Sequence, residues 1–274
     1  MSVDDQGPAR LLRDAEVDGA WTVLTNGTEQ SWIDPDDPTR LEYDYVQRIA
    51  DALDAHAPTG ERLRVIHVGG AGMTLARYVC ATRPSSAQIV LEPDAELTQQ
   101  VREKVPLPRN SGIKVRPVDG RSGIAAMRED FADVIIIDAF AGPYVPAELT
   151  TVEFHADVRR VLTSSGTVMI NITDKHPFGY ARRVVAGVAE VFGDVILSAE
   201  SATLKGRRFG NLIILGGKAP LPYRQLSSSA AGGAFPYRLI TGEHLTKFLA
   251  GARPFTDGDS SASPGPPGGK AFFG

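Results

Sequence analysis

The sequence has little cysteine, no long hydrophobic run and no excess of basic residues. Cys80 is the single cysteine among 274 residues, which excludes an intramolecular disulfide and a zinc site built on cysteines. No run approaches the roughly 18 apolar residues of a membrane-spanning helix, and residues 1–10 lack the apolar core of a signal peptide. The net charge of −4 provides no basic field for nucleic acid. We therefore expect a soluble cytoplasmic protein that binds neither nucleic acid nor a membrane.

The stretch 63–74 combines a strand pattern with a glycine-rich turn. Apolar residues alternate up to Val68, the run Gly69-Gly70-Ala71-Gly72 follows, and helical spacing resumes at Thr74. Glycines let the backbone approach a ligand closely, and the free N–H groups of a helix start favour electron-rich groups. Glu92 ends the next apolar run, at the distance where nucleotide-binding folds place a carboxylate that accepts both ribose hydroxyls. We interpret the two features together as a nucleoside site.

From residue 63 onwards, strand patterns alternate with helical patterns. The strand patterns are Leu63–Val68, Gln88–Leu91, Ile113–Val118, Val134–Ile137, Thr167–Ile172, Val195–Ser198 and Leu212–Leu215. The helical patterns are Thr74–Ala81, Ala95–Val105, Ser122–Arg128, Val152–Leu162 and Tyr180–Phe192. Such alternation predicts a parallel sheet with helices on both faces. With the last two strands paired as an edge hairpin, the pattern is typical of an α/β, Rossmann-like class I methyltransferase fold with a mostly parallel seven-stranded sheet.

The chain divides into three parts by composition. Residues 1–60 contain a small β-hairpin region around Asn26-Gly27, a strong turn signal, and a helix from about 41 to 56. Residues 61–257 form the Rossmann-like catalytic domain, in which the Ser-, Ala- and Gly-rich stretch 227–233 is expected to be a flexible loop. Residues 258–274 are rich in Gly, Ser and Pro and are expected to be a disordered tail.

Small or acidic residues follow four of the predicted strands. They are Gly69-Gly70, Glu92, Asp119-Gly120 and Asp138. Ligands of open parallel sheets bind beyond the carboxyl ends of the strands, so these positions should meet around one ligand. The alternative is that a strand-end acid only caps the helix that follows, which could hold for one of the three acids.

Other nucleotide and catalytic motifs are absent. A dinucleotide loop needs a third glycine where Leu75 stands, and no Gly-Lys-Ser/Thr of a Walker loop occurs. The run Gly120-Arg121-Ser122-Gly123 is not a nucleophile elbow. The five histidines have no metal-ligand spacing, so we expect no metal.

The chain resembles the spermidine synthase family of aminopropyltransferases over about residues 20–216. The resemblance rests on the N-terminal hairpin, the helix with Tyr45, and the strand-end motifs ending in Ile137-Asp138-Ala139-Phe140. It also rests on the stretch 145–154, which is similar to the bacterial spermidine synthase-like branch, and on the late Thr241-Gly242-Glu243 and Phe255-Thr256-Asp257.

The resemblance implies a function and a set of site residues. The function is transfer of an aminopropyl group from decarboxylated S-adenosylmethionine to a small amine, without a metal. Glu92 resembles the ribose ligand, Asp119 and Gly120 resemble the adenine pocket, and Asp138 matches the general base. Gln30 and Tyr45 resemble residues that line the donor and amine sites. Tyr144, in the segment after Asp138, is expected in a wall of the acceptor pocket.

Two positions depart from the family pattern. Gly72 stands where the family's glycine loop carries an aspartate, and Ala141 replaces the second aspartate of its Asp-Ser-Ser-Asp motif. Both lost acids would contact cations, so the identity of the amine is open. The alternatives are methyl transfer from S-adenosylmethionine itself and nucleoside binding without turnover. The assembly is open as well, with a homodimer as one option.

Overall fold

The structure of the protein, a computed structural model, describes residues 10–25, 27–232 and 237–267. A small antiparallel sheet comes first, with strands β1 (Arg10–Arg13), β2 (Trp21–Thr25) and β3 (Thr28–Ile33) in that order. Strands β2 and β3 form the predicted hairpin, and Asn26 of its turn lies outside the described residues. The sequence pattern does not predict β1, which pairs with β2 while Leu11 packs on a small core.

Helix α1 spans Asp44–His56 and connects the small sheet to the main domain. It begins after Tyr43, which is still extended, and therefore three residues later than predicted. Residues at helical spacing, among them Tyr45, Ile49 and Leu53, are buried against the main sheet. The first turn of α1 thereby places Tyr45 beside the carboxyl edge of that sheet.

The main sheet has eight strands within the described residues. They are β4 (Arg64–Val68), β5 (Ala87–Leu91), β6 (Ile113–Arg116), β7 (Ala132–Ile137), β8 (Leu162–Asp174), β9 (Asp194–Glu200), β10 (Gly210–Gly217) and β11 (Tyr237–Ile240). Their order is β11-β9-β10-β8-β7-β4-β5-β6. Pairing is parallel from β8 to β6 and antiparallel among β8, β10, β9 and β11. The predicted fold class and the paired β9 and β10 are confirmed, with β11 as an additional edge strand.

Helices cover both faces of this sheet. They are α2 (Thr74–Thr82), α3 (Ala95–Lys104), α4 (Gly120–Ala125), α5 (Val152–Val161), α6 (Gly179–Phe192), α7 (Ser201–Leu204), α8 (Tyr223–Gly232) and α9 (Gly242–Leu249), with a 3₁₀ turn at Ala147–Leu149. Strand β7 is buried on both faces, which is why its sequence has no polar face. Val134 and Ile136 pack into one core cluster, and Ile135 and Ile137 pack into the cluster on the opposite face.

Two sequence predictions near the C-terminus are wrong. The sequence predicts a loop over 227–233, but α8 runs through the first six residues of this stretch, and residue 233 is not described. Leu226 and Ala230, one helical turn apart, are buried and supply the apolar face that the many Ser and Ala residues obscure. The sequence predicts disorder from residue 258 onwards, but residues 258–267 are ordered. Within them, Ser263 is buried and accepts a hydrogen bond from the N–H of Val145. Residues 268–274 lie outside the described part.

No helix among the described residues is both long enough and apolar enough to span a membrane.

Candidate active site

A cavity of about 390 Å³ lies beyond the carboxyl ends of β4, β5 and β7. It collects most of the site residues predicted from the sequence: Gln30, Tyr45, Gly69, Gly70, Ala71, Glu92, Asp119, Gly120 and Asp138. These residues come from both the small sheet and the main domain, as expected for one ligand at the edge of a parallel sheet.

The glycine loop is packed tightly between two neighbouring strand ends. Gly69 has a φ of +89°, and a Cβ there would lie 2.3 Å from the carbonyl oxygen of Asp138. A Cβ on Gly70 would lie 2.7 Å from Val90 and 3.0 Å from Glu92. Glycine at these positions therefore lets the loop after β4 sit directly against the residues that end β5 and β7.

Glu92 is bound to this loop. One carboxylate oxygen accepts the N–H groups of Gly70, at 2.8 Å, and Ala71, at 3.1 Å. The other oxygen accepts the N–H of Asp94 at 3.0 Å. These bonds fix the carboxylate at the cavity wall, where its remaining lone pairs can accept hydroxyl groups.

Asp119 is both a cavity residue and a helix cap. Its side chain accepts the N–H of Ser122 at 2.8 Å and caps α4. The hydrogen bonds from Ser122 lower the pKa of this exposed carboxyl. Asp119 is thus the strand-end acid that caps a following helix, and it also lines the cavity.

Asp138 lies at the end of β7 between two polar side chains. Nδ2 of Asn171, on β8, donates a hydrogen bond to Oδ1 of Asp138 at 2.9 Å, and the hydroxyl of Tyr45 donates another. Burial raises the pKa of the Asp138 carboxyl to about 6, against the lowering effect of these two bonds. The raised pKa suits a group that accepts a proton near neutral pH.

Two predicted site residues are not in the wall of this cavity. Gly72 turns toward β3, where a Cβ would lie 2.8 Å from the Cβ of Ser31 and 2.7 Å from Ile33. Its N–H donates to Oγ of Ser31 at 3.1 Å. Tyr144, in the loop that follows Asp138, is 45% exposed and is not part of the lining of this cavity.

A second cavity, of about 430 Å³, adjoins the first. Tyr43 and Tyr45, whose rings stack with centroids 6.0 Å apart, line both cavities. The other lining residues are Asp44, Glu200, Thr203, Arg208, Phe209, Gly210, Asn211, Tyr237, Pro266 and Pro267. Sequence reasoning missed this cavity, and it missed Asn171, whose polar side chain within an apolar strand was the available signal.

Polar atoms in both cavities lack partners. Gln30 and Thr25 line the first cavity, and the buried Nε2 atom of Gln30 and Oγ1 atom of Thr25 have no hydrogen-bond partner among the described residues. In the second cavity the same holds for Oγ1 of Thr203 and Oδ1 of Asn211. In the described ranges, no cluster of His, Cys, Asp and Glu could hold a metal ion.

Solved structures that are similar to this chain show the family to which it belongs. No protein-family model matches the sequence. The crystal structure of a probable spermidine synthase from Corynebacterium glutamicum superposes with a TM-score of 0.84 and 32% sequence identity, over 91% of this chain and 92% of that one. The spermidine synthase of Thermotoga maritima, 16% identical with a TM-score of 0.57 over 88% and 80% of the two chains, shares the fold.

Curated relatives agree with this result over a shorter stretch. The polyamine aminopropyltransferase of Vibrio vulnificus is 29% identical over 140 residues, which are 50% of this chain and 46% of the relative. The protein of the same name from Chromobacterium violaceum is 24% identical over 149 residues, 54% and 56% of the two chains. The chain thus spans about half the length of these curated relatives. Because the Corynebacterium structure matches over nearly the whole of both chains, the chain belongs to the spermidine synthase-like family.

Proposed function

We propose that the protein transfers an aminopropyl group from decarboxylated S-adenosylmethionine to a small amine. The observation that supports this most strongly is Asp138, a carboxylate with a raised pKa beside the tyrosine pair that lines both cavities. The first cavity suits a nucleoside donor, and the second has room for an acceptor.

The donor nucleoside is assigned to the first cavity. Glu92, fixed by the N–H groups of the glycine loop, would accept the two ribose hydroxyls. Asp119 and Gly120 would border the adenine ring at the start of α4. This arrangement leaves the sulfonium end of the donor near Asp138, at the carboxyl end of the adjacent strand β7.

The reaction needs positioning and one proton acceptor. The lone pair of the acceptor nitrogen attacks the propyl carbon bonded to sulfur, and the carbon–sulfur bond breaks. Its electron pair remains on sulfur, so the sulfonium becomes the neutral thioether methylthioadenosine. An alkyl amine has a pKa of about 10 and is protonated at pH 7, so it must lose a proton before attack. Asp138 would accept that proton, while Tyr45 and Asn171 hold its carboxylate in place.

The remote end of the acceptor is assigned to the second cavity. Its lining includes the carboxylates of Asp44 and Glu200 and the guanidinium of Arg208, which forms an ion pair with Glu200. Two carboxylates and one guanidinium leave one negative charge. Aromatic rings in the lining, such as Phe209, add favourable surfaces for an ammonium group. An acceptor with a second amine fits this chemistry best.

The two departures from the family pattern change where the negative charge lies. Gly72 faces β3, so an aspartate there would collide with Ser31 and Ile33 unless they moved. Ala141 lines the first cavity without a charge. In their absence, Asp138 and Glu148 in the first cavity and the carboxylates of the second cavity can attract a cationic acceptor.

Calorimetric titration with each sulfonium nucleoside tests the proposed donor. We expect decarboxylated S-adenosylmethionine to bind more tightly than S-adenosylmethionine. Tighter binding of S-adenosylmethionine would instead indicate methyl transfer. Failure of both nucleosides to bind would contradict the assignment of the first cavity.

A further inference from the structure

The chain returns across the main domain after α9. Phe255 is buried, with its ring centroid 5.4 Å from that of Tyr180 and the guanidinium of Arg183 lying 4.0 Å above it. Thr256 and Asp259 then exchange backbone hydrogen bonds in a tight turn. We name residues 255–267 the C-terminal strap.

The strap is first attached beside the proposed adenine site. Asp257 accepts two hydrogen bonds from the guanidinium of Arg121, at 3.0 and 2.6 Å, and one from Oγ1 of Thr151 at 2.7 Å. Arg121 directly follows Gly120 of the first cavity. A bidentate pair of this kind fixes orientation as well as distance, so the strap leaves this point in a defined direction.

The second attachment is to the loop that follows Asp138. Oγ of Ser263 accepts the N–H of Val145 at 2.8 Å, and the N–H of Ser263 donates to the carbonyl of Val145 at 3.2 Å. Ser263 is only 4% exposed. Gly265 packs against the ring of Tyr144, which a Cβ would approach to 2.9 Å. The backbone of the loop at Val145 is therefore held by the strap.

The end of the described strap reaches the second cavity. Pro266, which is buried, and Pro267 form part of the wall of the second cavity, which Tyr43 and Tyr45 also line. A proline has a fixed φ and no flexible side chain, so two in succession make a stiff boundary. Attachment at Asp257 and Ser263 keeps that boundary in place relative to both cavities.

We propose that the C-terminal strap sets the length of the amine that the second cavity accepts, with Pro266 and Pro267 as the part of the cavity wall that limits it. The inference rests on the proposed function and adds a specificity determinant to it. Such a wall acts on acceptors long enough to reach it. Pro266 and Pro267 are not part of the lining of the first cavity, so the donor site and the reacting amine stay unchanged.

Two truncations of the full chain test the inference. One ends after Gly265 and removes both prolines, and the other ends after Pro267 and keeps them. Unbranched diamines of four to eight carbons are titrated calorimetrically into each protein loaded with methylthioadenosine. One methylene in a confined pocket changes binding affinity by about 10-fold or more. We therefore expect the first truncation to raise the ratio of the affinity for the eight-carbon diamine to that for the four-carbon diamine by about 10-fold. The second truncation should leave this ratio as in the full chain.

The same length preference in both truncations would overturn the inference while leaving the proposed function intact. If the truncation after Gly265 does not fold, the full-length Pro266→Gly variant takes its place, with the same expected change in the affinity ratio. A full chain that binds the nucleoside but no diamine of any length would refute the proposed acceptor, and the strap's role with it.

Discussion

Asn171 donates a hydrogen bond to Asp138 across 2.9 Å and so connects the carboxylate at the end of β7 to the neighbouring strand β8. Tyr45, from the first turn of α1, donates to the same carboxylate. Three elements distant in sequence therefore hold Asp138 in one orientation, which favours a catalytic role over a capping role.

Asp138→Asn should abolish most of the transfer activity. The substitution keeps the shape of the side chain and removes the base, so turnover should fall by about 10²–10⁴-fold. Donor affinity should change little, because Glu92 and Asp119 lie on other strand ends. Single-turnover transfer and donor titration on the same preparation measure both quantities.

Asp157→Asn, at a surface ion pair on α5, is the control and should retain full activity. Unchanged transfer in the Asp138 variant would exclude it as the base.

The raised pKa of Asp138 also predicts an effect of pH on stability. Because burial raises its folded-state pKa from 3.8 to about 6, the stabilisation associated with its protonated form is present below about pH 4 and is lost as the pH rises through 6. The Asp138→Asn variant should therefore be more stable than the wild type at pH 7.5, by at most about 3 kcal/mol. Urea unfolding at pH 4 and pH 7.5 measures the difference, which should nearly vanish at the lower pH. An equal difference at both pH values would argue against a raised pKa.

Glu92→Ala should weaken donor binding by roughly 1–3 kcal/mol, because it removes charged hydrogen bonds to the ribose. It also removes the acceptor for the N–H groups of Gly70 and Ala71, so the glycine loop should become less ordered. Calorimetric titration of the donor gives the loss of affinity. Glu96→Ala, on the first turn of α3, is the matched control. Equal donor affinities in the two variants would remove Glu92 from the site.

Asp44→Asn should affect diamines and monoamines differently. If the second cavity holds a remote ammonium group, loss of the Asp44 charge should raise the KM of a four-carbon diamine by about 10-fold, the equivalent of one charged interaction. The KM of butylamine, which has no second charge, should stay the same. Glu42→Gln changes an exposed charge two residues away and controls for long-range electrostatics. A parallel rise in KM for both amines would show that Asp44 does not recognise the remote end.

The sequence predicts the first cavity well because its residues follow consecutive strands. Gly69, Glu92 and Asp138 each end a strand of one parallel sheet, so the period of the apolar pattern is enough to bring them together. Their roles in binding and catalysis stay predictions. Tyr144 shows the limit of this reasoning, since a sequence position shortly after Asp138 does not tell whether the ring lines the cavity.

The second cavity has no such local signal. Asp44, Glu200, Tyr237 and Pro266 come from a helix start, a strand end, an edge strand and the C-terminal strap, and only tertiary packing joins them. The order of the strap cannot be predicted from its composition, because Gly, Ser and Pro are common in disordered segments. Ser263 and Asp257 are ordered by specific hydrogen bonds to Val145 and Arg121, which composition does not reveal.

The most direct test of the central claim is product analysis by mass spectrometry. The purified protein is incubated with decarboxylated S-adenosylmethionine and a panel of amines and diamines. We predict an aminopropylated amine and an equal amount of methylthioadenosine, both absent with the Asp138→Asn variant. An intact donor with every amine, or a methylated amine formed from S-adenosylmethionine instead, would contradict aminopropyl transfer.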